Sequence, residues 1–183
     1  MSISSPRETQ TATALQEKET GRLEAFSDGV FAIAITLLIL DVRVPRPPED
    51  ASQAFNLGHA LVRLWPALLA YVMSFAIILV MWVNHHLIFT IVRKTDQTFL
   101  FWNGLLLMFV TFVPFPTSLL SEYMGHGSHD ELRLAAMIYS AHGLLIALSF
   151  TAVWRYATKG GRLLTPGHME DETRLMSERY RWG

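Results

Sequence analysis

The stretch that decides the fold is Arg22-Leu23-Glu24-Ala25-Phe26-Ser27-Asp28-Gly29-Val30-Phe31-Ala32-Ile33-Ala34-Ile35-Thr36-Leu37-Leu38-Ile39-Leu40-Asp41-Val42. Between Gly29 and Leu40 only Thr36 carries a hydrogen-bonding side chain. At about 1.5 Å per residue this run covers roughly 18 Å, against a bilayer hydrocarbon core of about 30 Å. Asp28 and Asp41 would therefore lie at or inside the edges of the apolar slab. A carboxylate there costs up to roughly 2.5–3.5 kcal/mol and needs a partner, water or a function.

The same character extends along the chain. Of 183 residues, 51% are apolar and 17% charged, where soluble domains average about 25% charged. Four long apolar segments predict four transmembrane helices over about 23–43, 58–92, 98–123 and 131–158. Three prolines among Pro45, Pro47 and Pro48 end the first. Pro114 and Pro116 should kink the third. The predicted class is an all-α polytopic membrane bundle, with residues 21–158 as the transmembrane domain. Residues 1–20 read as a polar, mobile cytoplasmic tail without the apolar region of a signal peptide, and 159–183 as a charged cytoplasmic tail.

With the N-terminus inside, the inner segments hold eleven of the 15 Lys and Arg and the outer loops four, namely Arg43, Arg46, Arg63 and Arg133. This asymmetry predicts cytoplasmic N- and C-termini and an even number of spans, in the cell (inner) membrane. The formal net charge of −1 and the lack of a basic stripe exclude nucleic acid as a partner. With no cysteine, thiolate catalysis and thiolate metal sites are excluded. No nucleophile elbow, phosphate-binding loop or zinc-protease signature is present, so no catalytic residue is assigned and the chain is not expected to be an enzyme.

At about 100° per residue, Gly29, Ile33, Thr36, Leu37 and Leu40 share one stripe of the first helix, with Phe26 and Arg22 on its N-terminal extension. Such a stripe is either a helix–helix seam or a pore lining made by repeating the helix around an axis. In the second case rings of Ile and Leu would form a dewetting constriction, and the Thr36 hydroxyls could face an ion. Asp28 lies off the stripe and wants partners from another segment. The second helix offers Trp82, Asn84, His85 and His86 at a similar depth. His85 and His86 are adjacent, so their rings point about 100° apart and do not converge on one metal ion; no metal site is expected. His142 reads as a satisfied buried histidine or as a proton-exchanging site. Asp41, with no partner in sight, is the candidate cation-attracting group at the outer mouth.

Arg22-x-x-x-Phe26-Ser27-Asp28, together with Trp82-x-x-His85-His86, Trp102-Asn103 and Pro114-Phe115-Pro116-Thr117, resembles the signature of the transmembrane protein 175 family of potassium channels, over roughly residues 20–125. The resemblance implies a homotetramer in the lipid bilayer, with the first helix of each subunit lining a central pore. It implies a hydrophobic constriction at Ile33 with further layers at Leu37 and Leu40, and a threonine layer at Thr36 favouring potassium. It implies that Arg22, Phe26, Ser27 and Asp28 join the Trp and His residues of the second helix in a polar interhelical network. The expected function is passive, potassium-preferring cation conduction, with permeant K+ and no cofactor. The alternatives are a proton-permeable channel and a non-conducting helical interaction module. The family's subunits resemble six-helix units, whereas four helices are legible here, which implies a short or a truncated member.

Overall fold

The computed structural model describes residues 6–47, 55–159 and Leu163, with side chains from Leu15 onward. Among these residues the chain is all-α: α1 (Pro6–Leu37), α2 (Leu57–Val62), α3 (Trp65–Ile91), α4 (Gln97–Phe112), α5 (Pro114–His126) and α6 (His129–Thr158). Four stretches are long and apolar enough to cross a membrane: Leu15–Asp41, Leu57–Ile91, Gln97–His126 and His129–Thr158.

The boundaries differ from the sequence expectation where polar chemistry intervenes. α1 begins at Pro6, a residue suited to the first helical turn, rather than near residue 23. Residues 12–19 include Ala, Leu, Gln, Glu and Lys, good helix formers that need no packing to continue a helix. The polar extension is also tied down. Arg93 Nε donates to Glu17 Oε1 (2.8 Å), and Thr20 Oγ1 is 3.2 Å from the Arg93 carbonyl. Most of the expected N-terminal tail is therefore helix; residues 1–5 lie outside the described residues, as does most of the expected tail 159–183. The C-terminal end of α1 passes into a 3₁₀ turn, Leu38–Asp41.

The expected helix 58–92 is divided. Asn56 caps α2 by accepting from the His59 amide (3.0 Å), and a turn at Arg63–Leu64 precedes α3, where Pro66 occupies the first turn. A proline there loses no hydrogen bond, whereas inside a continuous helix it would break one. The division shortens α3 to 27 residues, about 40 Å, in place of a single rod of about 50 Å. Val113 separates α4 from α5 just before Pro114, so the expected kink is a boundary between two helices. α6 starts two residues earlier than expected, because Ser128 and Glu131 form a reciprocal capping box.

The helices pack α4 on α6, α3 on α5, α5 on α6, and α1 on both α3 and α4. The core is assembled from Phe31, Ala34 and Leu38 of α1, Ile78 and Ile88 of α3, Phe99, Leu106 and Val110 of α4, and Ile146, Phe150 and Val153 of α6. Beyond α6, Leu163 folds back onto this core, and its carbonyl accepts the Arg93 amide at 2.8 Å. Much of the remaining apolar surface is exposed, including Ile33, Leu40, Val72, Val80, Leu144 and Leu148. Apolar faces of this extent fit a surround of lipid tails or further subunits rather than water.

Candidate functional site

α1 has two faces of different chemistry. Glu24, Ser27, Asp28 and Phe31 recur at helical spacing and turn inward, toward α3 and α4. On α3, Trp82, His85, His86 and Phe89 repeat the same spacing. The two quartets meet. Trp82 Nε1 donates to Asp28 Oδ1 (2.9 Å). His86 Nδ1 lies 3.0 Å from Glu24 Oε1. Phe31 lies against the His85 ring, their centroids 5.2 Å apart.

Between them sits Asn103, contributed by α4 and buried among apolar neighbours. Its Nδ2 donates to Ser27 Oγ (3.0 Å), and its Oδ1 faces His85 Nε2 (2.9 Å). Because Asn103 presents an acceptor, the proton on that bond belongs to His85 Nε2. Ser27 in turn donates to the Leu23 carbonyl (2.9 Å). The hydrogen bonds therefore run in defined directions from both α3 and α4 into α1. His85 is enclosed by Phe31, Phe89 and Phe150, and its Nδ1 has no hydrogen-bond partner.

Arg22, Phe26 and Asn84, placed in this network on sequence grounds, take no part in it within the subunit. Arg22 and Phe26 are exposed, because they fall on the same side of α1 as Ile33. Asn84 is half-buried and makes no side-chain hydrogen bond among the described residues. Asn103 and Glu24 complete the network instead. Asn103 was detectable as the one amide in the apolar run from Phe99 to Val110 of α4. Glu24 lies four residues before Asp28, on the same face of α1.

A second polar cluster, not foreseen from the sequence, joins α3, α5 and α6 farther along the spans. Thr117 Oγ1 donates to the Val113 carbonyl (2.8 Å) and so accepts from Ser74 (2.7 Å), which in turn accepts from the Tyr139 hydroxyl (3.0 Å). His142 Nε2 donates to the Phe109 carbonyl (3.0 Å). Single hydroxyl residues in apolar helices leave little signal until the helices are brought together.

The other face of α1 holds Gly29, Ile33, Thr36, Leu37 and Leu40, all turned away from the subunit's own core. Ile33 is 58% exposed and Leu40 71%. The stripe is thus not a seam within the subunit. Thr36 Oγ1 donates to the Ile33 carbonyl (2.9 Å). Its own proton is thereby engaged, and its oxygen lone pairs remain available on the exposed side.

Asp41 does not continue that stripe. Residues in a 3₁₀ turn advance about 120° each rather than about 100°, and Asp41 ends half-buried beside α3 and α5. With Arg43, Arg63, Glu122 and His126 it lines a cavity of about 130 Å³. Its Oδ2 is screened from solvent and makes no hydrogen bond. Among the described residues no set of three or more His, Asp or Glu side chains is placed to hold a metal ion.

Residues 22–114 match the family model described as endosomal/lysosomal potassium channel TMEM175. A potassium channel of Chamaesiphon minutus is 50% identical over 170 residues, covering 93% of this chain and 81% of that protein. A potassium channel of Streptomyces collinus is 49% identical over 148 residues, 81% of this chain and 69% of the other. The mouse endosomal/lysosomal proton channel TMEM175 is 40% identical over 141 residues, which is 28% of its length. The crystal structure of the Chamaesiphon minutus homologue, titled a lysosomal potassium-selective channel TMEM175 homologue, superposes with a TM-score of 0.76 at 49% identity, covering 91% of this chain and 81% of that one.

Proposed function

The chain belongs to the TMEM175 potassium-channel family, and from that premise we propose that it is a potassium-preferring cation channel whose pore is lined by α1. It is a multi-pass membrane protein; its family is one of channels, not of enzymes. The observation that carries the proposal is the stripe Gly29, Ile33, Thr36, Leu37 and Leu40, which faces away from its own subunit. A subunit of this size encloses no central pore among its described residues, so conduction requires copies of the stripe to face one another. Four copies around an axis would place rings of Ile33, Leu37 and Leu40 side chains at the constriction. Such rings restrict flow by excluding water, and a ring of Thr36 oxygens between them provides a weak, replaceable ligand for a partly dehydrated cation. The inward network of Glu24, Ser27, Asp28, Trp82, His85, His86 and Asn103 then fixes the rotation of α1, so that the stripe points to the axis. The excess of Lys and Arg in the segments flanking both ends supports cytoplasmic termini, and the reading assigns the protein to the cell membrane.

The test is potassium flux through purified, reconstituted tetramers, comparing the wild type with Ile33→Asn. The wild type should pass K+ in preference to Na+, and the polar ring should raise the leak. A wild-type tetramer that passes no ion, or a flux indifferent to Ile33→Asn, refutes the pore assignment. A second reading, proton permeation, is favoured by the mouse relative named as a proton channel. Its readout is a shift of reversal potential under a pH gradient at constant K+.

A further inference from the structure

The ends of α4 and α6 enclose an open groove of about 540 Å³ that the pore does not use. This is within the range of about 300–1,000 Å³ usual for small-ligand clefts. On α6 it is lined by Ala152, Arg155, Tyr156 and Thr158, Lys159 follows as the C-cap, and Trp102 of α4 completes the lining. Ala152, Arg155 and Tyr156 recur at three- and four-residue spacing and share one helical face, and Lys159 extends it past the helix end. Arg155 and Lys159 are exposed, and among the described residues neither is held in an ion pair; the ion pairs seen join Glu17 to Arg93 and Glu24 to His86.

The nearest acid is already engaged. Asp96 Oδ1 accepts the Phe99 amide at the start of α4 (2.8 Å), and its Oδ2 accepts the Tyr156 hydroxyl (2.6 Å). That second bond holds the Tyr156 ring in the groove wall. The groove lies at the end of two membrane-length stretches, at the level where Trp and Tyr rings sit among lipid headgroups. Two cations without an ion pair among the described residues, above an aromatic wall opening sideways at that depth, complement a phosphate attached to an apolar body.

We propose that the groove between Trp102 of α4 and the Arg155–Lys159 face of α6 binds the phosphate headgroup of an anionic phospholipid. Arg155 and Lys159 take the phosphate, the guanidinium in bidentate fashion, and Trp102 and Tyr156 flank the glycerol and first methylenes. Binding here is independent of whether α1 conducts, so the two readings fail separately.

The experiment is native mass spectrometry of the full chain released from mixed phosphatidylglycerol and phosphatidylcholine vesicles. The wild type should retain phosphatidylglycerol preferentially. Arg155→Gln with Lys159→Gln should reduce that preference roughly 5- to 30-fold, the scale of one to two basic side chains at an anionic surface. Arg133→Gln, at the opposite end of α6, should leave it unchanged. Both positions are exposed, so an unaltered melting curve verifies that the double variant is folded. Equal retention of the two lipids by the wild type, or an undiminished preference in the folded double variant, overturns the proposal. So does stabilisation of the detergent-solubilised wild type by inorganic phosphate alone that the double variant loses, which would assign the site to a free anion.

Discussion

Replacing Asn103 by Leu isolates the value of the buried network, because Leu keeps the branched four-atom skeleton of Asn, is somewhat bulkier and opens no cavity. Two hydrogen bonds are lost, to Ser27 and to His85. Their consequences are unequal. Ser27 keeps its bond to the Leu23 carbonyl and loses only an accepted bond. His85 loses the one partner of its Nε2–H, while its Nδ1 already has none. An abandoned buried donor costs about 1–3 kcal/mol, and measured interhelical hydrogen bonds in membrane proteins average about 0.6 kcal/mol with a maximum of about 1.7. The expected loss is therefore about 2 kcal/mol, seen as a fall of roughly 4–8 °C in the thermal midpoint for a chain of this size. The assay is tryptophan-fluorescence melting in detergent. Adding His85→Phe should recover most of the loss. A phenyl ring packs among Phe31, Phe89 and Phe150 and removes the stranded donor, and neighbouring sites of this kind couple by about 0.5–3 kcal/mol in a double-mutant cycle. A single variant as stable as the wild type, or strictly additive effects in the cycle, would refute the directed network described for Asn103.

Three further outcomes are expected. Trp82→Phe removes the indole donor to Asp28 while keeping an aromatic ring; a hydrogen bond to a charged group of this kind is worth about 1.5–3 kcal/mol, and an unchanged melting midpoint would count against it. Arg93→Gln removes an exposed ion pair with Glu17, and the melt should shift by less than about 1 kcal/mol, since the backbone bonds of Arg93 to Leu163 and Thr20 remain. A Cβ on Gly29 meets nothing within 4 Å in the subunit, so Gly29→Ala should leave subunit stability intact or raise it by up to about 1 kcal/mol. If copies of α1 face one another there, the same change should lower potassium flux several-fold, and unaltered flux would argue against close approach at that level.

The four spans were legible because apolar length is a strong and local signal, and the prolines marked where it is interrupted. Pro66 was harder to read, since nothing in the linear pattern shows whether a proline begins a helix or bends one. The stripe on α1 followed from period alone; that it faces outward became visible only once Phe31, Ala34 and Leu38 were seen to fill the core. Asp28 pointed to Trp82 by depth. Asn103 was visible as a residue, but its place in the network and that of Glu24 were not, because their partners lie 18 to 76 positions away in the chain or on a face whose neighbour the sequence does not specify. The direction of Asp41 was not legible from a regular period, because it depends on a 3₁₀ turn in which about 20° per residue accumulates over four residues.

The polar ties along α1 also set its mechanics. They cluster at Glu24, Ser27 and Asp28, toward one end of the crossing, whereas from Ala32 to Leu40 the helix is held by apolar contacts and then loosens into a 3₁₀ turn. It is held by directional polar bonds near one end and by apolar packing of Phe31, Ala34 and Leu38 toward the other. Sliding it by one turn, about 5.4 Å, would pull three side chains off their partners at once, while tilting its far half would break none of them. If copies of the stripe face one another as proposed, a change of spacing at Leu37 or Leu40 is therefore softer than one at Gly29.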